Sequence, residues 1–132
     1  MSDKLHFSLV SPERELFAGE VDQVDAPGSE GQFGVLPGHA PFMATLKAGV
    51  VVVFEGDKRT RLFVRSGFAD VTPQGLTILA EEAIDLIDFD ATKSEAALAS
   101  AKLELESADE DDAKVRLIET ISYLEALIAS AA

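Results

Sequence analysis

Not one of the 132 residues is cysteine. Disulfides, thiolate nucleophiles and cysteine-based zinc sites are thereby excluded, and the chain fits a reducing compartment. Histidine occurs twice, as His6 and His39. Apolar stretches are short. The longest unbroken one, Val50–Phe54, falls far below the roughly 20 residues needed to span a bilayer. The opening Met1-Ser2-Asp3-Lys4 has no basic flank leading into an apolar stretch and is not rich in Arg and Ser, so no signal peptide or presequence is expected. Positive charge is scarce as well: 11 Lys and Arg stand against 24 Asp and Glu, a net charge of −13. Such a chain repels nucleic acid and anionic headgroups, so neither nucleic acid nor direct membrane insertion is expected. The acidity reads first as solubility.

What remains is an ordinary globular composition, 47% hydrophobic and 27% charged. The length suits one domain plus a short appendage, and a chain of this size buries roughly two-thirds of its unfolded surface. Up to about Leu86 the pattern has period two. Leu5, Phe7 and Leu9 alternate with His6 and Ser8; Phe42, Ala44 and Leu46 alternate with Met43 and Thr45. Thr60, Leu62 and Val64 alternate with Arg61 and Phe63; Leu76, Ile78 and Ala80 alternate with Thr77 and Leu79. Alternation sends successive side chains to opposite faces of a sheet. Val50–Phe54 is apolar at every position, as expected of a strand covered on both faces.

Turn chemistry separates these runs. Pro37-Gly38 suits a type II turn, Thr72-Pro73-Gln74-Gly75 a type I turn, and Glu55-Gly56-Asp57-Lys58 lies at hairpin distance between two strands. Eight to ten short strands without intervening helices predict a sandwich or flattened barrel.

From about Asp90 the period changes to that of a helix. Residues 92–107 are rich in Ala, Glu, Lys and Leu, and Leu98, Ala101, Leu105 and Ala108 share one face. A second helix is expected over about 112–129, with Leu117, Ile121, Leu124 and Ile128 as its stripe. The intervening Asp109-Glu110-Asp111-Asp112 is short enough to make the helices antiparallel neighbours. Asp90 or Thr92 caps the first helix, and Glu95 stands at capping-box distance from Thr92. The reading is α+β: a β domain over residues 1–87, then an antiparallel two-helix hairpin over 88–132. One apolar stripe per helix is marginal on its own, so the hairpin needs the β domain or a partner.

No catalytic constellation emerges. His6 sits in a strand pattern and His39 in a Pro-Gly-His-Ala-Pro turn, and no Gly-x-Ser-x-Gly stretch is present. The glycines of 28–34 have neither dinucleotide-fingerprint nor P-loop spacing, no Lys-Ser or Lys-Thr follows, and a tight loop between strands accounts for them. Asp109–Asp112 has no alternating ligands or central glycine of a calcium loop; carboxylates at a helix start are favoured by the free N–H groups there. Glu81, Glu82, Asp85 and Asp88 offer carboxylate pairs, but 24 acidic residues make chance pairs common. Neither a metal nor a cofactor is expected. On the residues alone, a free-standing ligand-binding or regulatory β-sandwich module and an acidic hydrolase both stay open.

The stretch Gly31-Gln32-Phe33-Gly34-Val35-Leu36-Pro37-Gly38-His39-Ala40-Pro41-Phe42 closely resembles the most recognisable motif of the epsilon subunits of bacterial-type F-type ATP synthases, homologous to the mitochondrial delta subunit. Phe7–Pro12 looks like that family's first strand, and Leu79–Ala83 like its last-strand region. Ser66-Gly67-Phe68-Ala69-Asp70-Val71 is similar to its Ser-Gly-Gly-Phe-x-Glu-Val block, shortened by one Gly.

The resemblance implies a ten-stranded sandwich followed by a helical hairpin. It implies a non-catalytic central-stalk subunit that joins the proton-driven c-ring to the gamma shaft, peripheral to the cytoplasmic face of the bacterial inner membrane. By carry-over, Ser29, Glu30, Gly31 and Gln32 face the polar loops of the c-ring, and His39, Ala40, Pro41 and Phe42 lie at or near the gamma and ring contacts.

The hairpin departs from the family. Its ATP-binding members carry Ile-Asp-x-x-Arg-Ala, whereas Ile87-Asp88-Phe89-Asp90-Ala91-Thr92 has Ala91 in place of the Arg and Thr92 in place of the Ala. The guanidinium for a phosphate is missing, so ATP binding is not expected. Inhibition in the family uses basic hairpin residues against the catalytic alpha and beta subunits. From Asp90 onward ten acidic residues face four basic ones, which opposes that docking and predicts weak regulation of ATP hydrolysis.

Overall fold

A computed structural model describes residues 4–131. The chain divides into two compact units, one up to Asp88 and one from Phe89. Ten strands form the first: β1 (Leu5–Val10), β2 (Glu15–Val21), β3 (Gln23–Gly28), β4 (Gly31–Val35), β5 (Phe42–Leu46), β6 (Gly49–Glu55), β7 (Lys58–Val64), β8 (Gly67–Thr72), β9 (Gly75–Ala80) and β10 (Ala83–Asp85). A single 3-10 turn, Leu86–Asp88, closes this unit. The helices α1 (Ala91–Ser107) and α2 (Asp111–Ala131) follow.

The strands hydrogen-bond in the order β10-β7-β6-β3-β5-β8-β9-β1-β2, with β4 paired to β3. Every pairing is antiparallel except β1 with β9. The β3–β5 junction rests on one register pair, Gly28 with Leu46, and the ends β2 and β10 lie near each other. The sheet therefore folds into two layers of five strands, a nearly closed ten-stranded sandwich. Near-closure matters because it leaves little unpaired strand edge.

The alternation in sequence becomes the core. Leu5, Phe7 and Leu9 of β1 and Leu76, Ile78 and Ala80 of β9 are buried, and they pack in one cluster with Val21, Val24, Val51, Val53 and Leu62. Each fully buried Val, Leu, Ile or Phe contributes roughly 1.5–3 kcal/mol relative to exposure. Phe7 also meets Phe17 of β2, ring centroids 5.4 Å apart.

Two strands differ from expectation. In β6 only Val51 and Val53 are fully buried; Val50, Val52 and Phe54 are half-buried, so the strand alternates although its sequence does not. Valine satisfies either environment, which hides the parity. The Arg59 guanidinium sits 4.4 Å from the Phe54 ring centroid and supplies part of the outer cover. In β7, Phe63 is not outward-exposed but fully buried, like Leu62 and Val64. Its register neighbours are Val50 of β6 and Ile84 of β10, apolar on both sides.

The turns follow their residues. His39 N–H donates to Leu36 C=O at 3.2 Å, and Gly38 has φ +79°, the conformation a type II turn requires after Pro37. Thr72 Oγ1 accepts the Gln74 N–H at 3.2 Å, fixing the turn between β8 and β9. Gly67 is required by close approach: a Cβ there would lie 2.1 Å from the Leu79 carbonyl oxygen.

In the second unit Asp90, and not Thr92, caps α1: its carboxylate accepts the Lys93 N–H at 3.0 Å. Thr92 lies inside the helix, so the Thr92–Glu95 capping box does not form. Residues 108–110 link the helices, and α1 packs on α2. Leu98, Ala101 and Leu105 are shielded on α1, and Ala108 is shielded at its C-terminal cap, as the spacing predicts. On α2 the stripe is only partly as expected. Leu124 is buried and Leu117, Ile121 and Ile128 are half-buried, but the most buried residue is Leu127, outside the predicted set.

Candidate partner-binding surface

The residues carried over from the motif occupy two neighbouring segments of the sandwich. Ser29 and Glu30 form the exposed turn between β3 and β4, and Gly31 and Gln32 open β4, also exposed. Gly28, just before the turn, is sterically confined: a Cβ would lie 2.5 Å from the Gly31 carbonyl oxygen. The turn is tied to β5 by Ser29 N–H to Thr45 C=O at 2.9 Å and by Thr45 Oγ1–H to Ser29 Oγ at 3.0 Å. The Gly-rich stretch is thus a braced hairpin, the tight connection expected of it.

His39, Ala40 and Pro41 are exposed in the connection from β4 to β5, and Phe42 is half-buried at the start of β5. Phe42 is the joint of the two segments. Its ring lies 5.3 Å from Phe33 of β4, edge to face, and 5.1 Å from the His39 imidazole. His39 Nδ1 is 2.8 Å from the Ala40 carbonyl oxygen, an atom that only accepts, so Nδ1 carries the proton. A shallow groove bounded by Ser29, Glu30, Phe33, Phe42 and Met43 runs between the segments.

Sequence reasoning missed a second feature. Met43, Phe68 and Leu79 expose 72%, 53% and 54% of their surface. The register places Thr45, Phe68, Leu79 and Val10 in one rung across β5, β8, β9 and β1, with Met43 two residues along β5 from Thr45. Beside this rung lies an apolar groove bounded by Val10, Pro12, Leu46, Phe68, Leu79 and Ala80. The signal was present: alternation puts Met43 and Leu79 on the outward face, where a large apolar side chain needs a reason. Contiguous outward apolar surface marks a contact site.

Nothing here assembles for chemistry. His6 is exposed on β1 and His39 in its turn, on separate segments. Among the described residues no three His, Cys, Asp or Glu side chains converge to hold a metal ion. One clearly perturbed titration is structural. Asp22 accepts hydrogen bonds from Lys4 Nζ and, at 2.6 Å, from the Gly56 N–H; these, the lysine first, hold its carboxyl below the usual aspartate range.

The model of the ATP synthase delta/epsilon chain β-sandwich domain matches residues 4–86. An ATP synthase epsilon chain from Hyphomonas neptunium is 62% identical over 129 residues, 96% of each chain. One from Maricaulis maris is 50% identical over 132 residues, 100% of this chain and 99% of its own. The chain belongs to the ATP synthase delta/epsilon family. A chain of the Euglena gracilis mitochondrial ATP synthase, solved with OSCP, F1 and c-ring, superposes with a TM-score of 0.82 at 25% identity, over 98% of this chain and 82% of that one. One from the Tetrahymena thermophila mitochondrial ATP synthase central stalk and c-ring has a TM-score of 0.66 at 11% identity, a likeness of fold alone, over 99% and 98%. Family members that match along nearly the whole length leave the free-standing module and the acidic hydrolase without support.

Proposed function

We propose that this chain is a non-catalytic central-stalk subunit of a proton-driven rotary ATP synthase, coupling the c-ring to the gamma shaft. The observation that carries the reading is the outward rung Thr45-Phe68-Leu79-Val10, exposed at all but the half-buried Val10, on a nearly closed sandwich in a member of the delta/epsilon family. A coupling needs stiffness and grip. Close packing inside the sandwich transmits strain with little give. The rung and its groove offer an apolar centre for an interface, which must reach about 1,000 Å² to hold. In this reading gamma covers the rung, with His39–Phe42 at the margin of that contact. The braced turn Ser29–Gln32, polar and small, meets the polar loops of the c-ring. The subunit is peripheral, at the cytoplasmic face of a bacterial inner membrane. In support, the compared epsilon chains come from bacteria, and among the described residues no helix is long and apolar enough to cross a membrane.

The hairpin binds no ATP and only weakly restrains hydrolysis through alpha and beta in this reading. Asp90 is engaged as the α1 cap, and Ala91, standing where the family motif has Arg, offers no guanidinium.

The test is a pull-down of gamma with the full chain and with Phe68→Asp. A charge in the centre of the rung should weaken capture about 30-fold. In the reconstituted enzyme, Gln32→Cys should crosslink to a cysteine in a c-ring loop. Unchanged capture by Phe68→Asp would displace gamma from the rung, and failure of the wild-type chain to capture gamma would end the coupling reading.

A further inference from the structure

Three strands of the outward apolar face, β5, β8 and β9, contain a single charged residue, Asp70. Beside the rung Thr45-Phe68-Leu79-Val10 the register forms a second one, Met43-Asp70-Thr77-Ser8. Aspartate is depleted in strands. Nor does this one guard a sheet edge, because β8 is paired to β5 on one side and to β9 on the other.

Asp70 points outward between the buried Ala69 and Val71 and is itself half-buried. Its register partners are Met43 and Thr77. Two residues along the same three strands lie Thr45, Phe68, Thr72 and Leu79, none of them charged. No other described residue forms an ion pair or a hydrogen bond with the Asp70 carboxylate. Along β5, Met43 lies between Phe42 and Thr45, hence between the segment His39–Phe42 and the apolar rung. A gamma contact that reaches from the rung to that segment passes over Met43 and Asp70.

Covering a carboxylate without giving it a partner strips its water and opposes association. A partner that seats over Asp70 and binds well therefore supplies a positive charge there. We infer that Asp70 is a specificity-determining residue of the gamma contact: an arginine or lysine of gamma pairs with its carboxylate, and an apolar side chain beside that cation enters the groove bounded by Val10, Leu46, Phe68 and Leu79. The inference rests on the gamma reading and adds the chemistry of the matching segment. The net charge of −13 favours a basic partner in the same direction. With uncharged side chains on every side, the cation has one seat on this face, and that fixes the register in which gamma docks.

The test measures the affinity of the full chain for gamma in the wild type, Asp70→Asn and Asp70→Lys. Asparagine keeps the shape and removes the charge, so Asp70→Asn should weaken binding about 30-fold, and Asp70→Lys further. The sign of the Asp70→Asn effect decides. If gamma covers Asp70 without a cation, removing the charge relieves the penalty and binding tightens; if Asp70 lies outside the contact, binding is unchanged. Either result overturns the inference. A rescue arm keeps Asp70→Lys and places glutamate in turn at each lysine and arginine of gamma. One such exchange should restore capture, which a merely structural role for Asp70 would not produce, and no restoration at any position would overturn the pairing. The Asp70→Asn arm carries the test if Asp70→Lys fails to fold. Capture weakened by Phe68→Asp but not by Asp70→Asn would remove this inference and leave the coupling reading standing; no capture by the wild-type chain would remove both.

Discussion

The sandwich and the helical hairpin solve burial in different ways. The sandwich encloses a core in which Phe7, Leu9, Val24, Val53, Leu62 and Ile78 have no exposed surface. Among the described residues of the hairpin only Ala101, Leu124 and Leu127 are buried, and Leu103, Val115 and Ile118 are largely exposed. Sheet strands paired on both sides bury whole faces, whereas two helices share one narrow seam. The contrast teaches where stiffness resides: a rotor coupling draws on the sandwich, and the hairpin is the part whose order depends most on its surroundings.

The comparison can be broken most forcefully in the core. Ile78→Ala should cost about 3–4 kcal/mol of sandwich stability, read as a fall in the urea midpoint. Leu105→Ala, on the half-buried seam of α1, should cost only about 1 kcal/mol. It should lower helical circular dichroism and leave the sandwich transition in place. Equal losses from the two substitutions would erase the distinction between the units.

A smaller effect comes from acid. The Asp22 carboxyl is depressed by Lys4 and the Gly56 N–H, so its contribution is present above the ordinary aspartate range and is lost as pH falls through the folded value. Melting temperatures between pH 2 and 6 should therefore fall less steeply in Asp22→Asn than in the wild type. Identical slopes would mean that this clamp on the β6–β7 hairpin adds nothing.

The smallest expected change tests the hairpin's role. Truncation after Asp88 should alter ATP hydrolysis by the reconstituted enzyme less than twofold, about 0.4 kcal/mol in barrier terms. The acidic balance of the helices is the reason. A several-fold rise would establish the hairpin as an effective inhibitor.

Much of the fold was legible because its rules are local. The parity of β1, β5 and β9, the Pro37-Gly38 turn and the α1 stripe through Ala101 are read from neighbours a few residues apart. Where local pattern was degenerate, the reading failed. Val50–Phe54 offers no polar residue to mark an outward face, and Phe63 obeys alternation in sequence yet lies between Val50 and Ile84. The cap of α1 was open between Asp90 and Thr92 because both side chains accept hydrogen bonds. The motif segments 29–32 and 39–42 were visible as sequence, but not that Phe33 and Phe42 join them.

Composition and periodicity on their own settle the absence of thiol chemistry, the change from strand to helix near Asp90 and the excess of negative charge. They rest on residue type and short-range spacing, which the chain carries before it folds. Register decides the rest. Only the pairing of β5 with β8, β8 with β9 and β9 with β1 gathers Thr45, Phe68, Leu79 and Val10 into one rung. Those contacts join residues distant in sequence, and a period of two carries no information about which strands become neighbours.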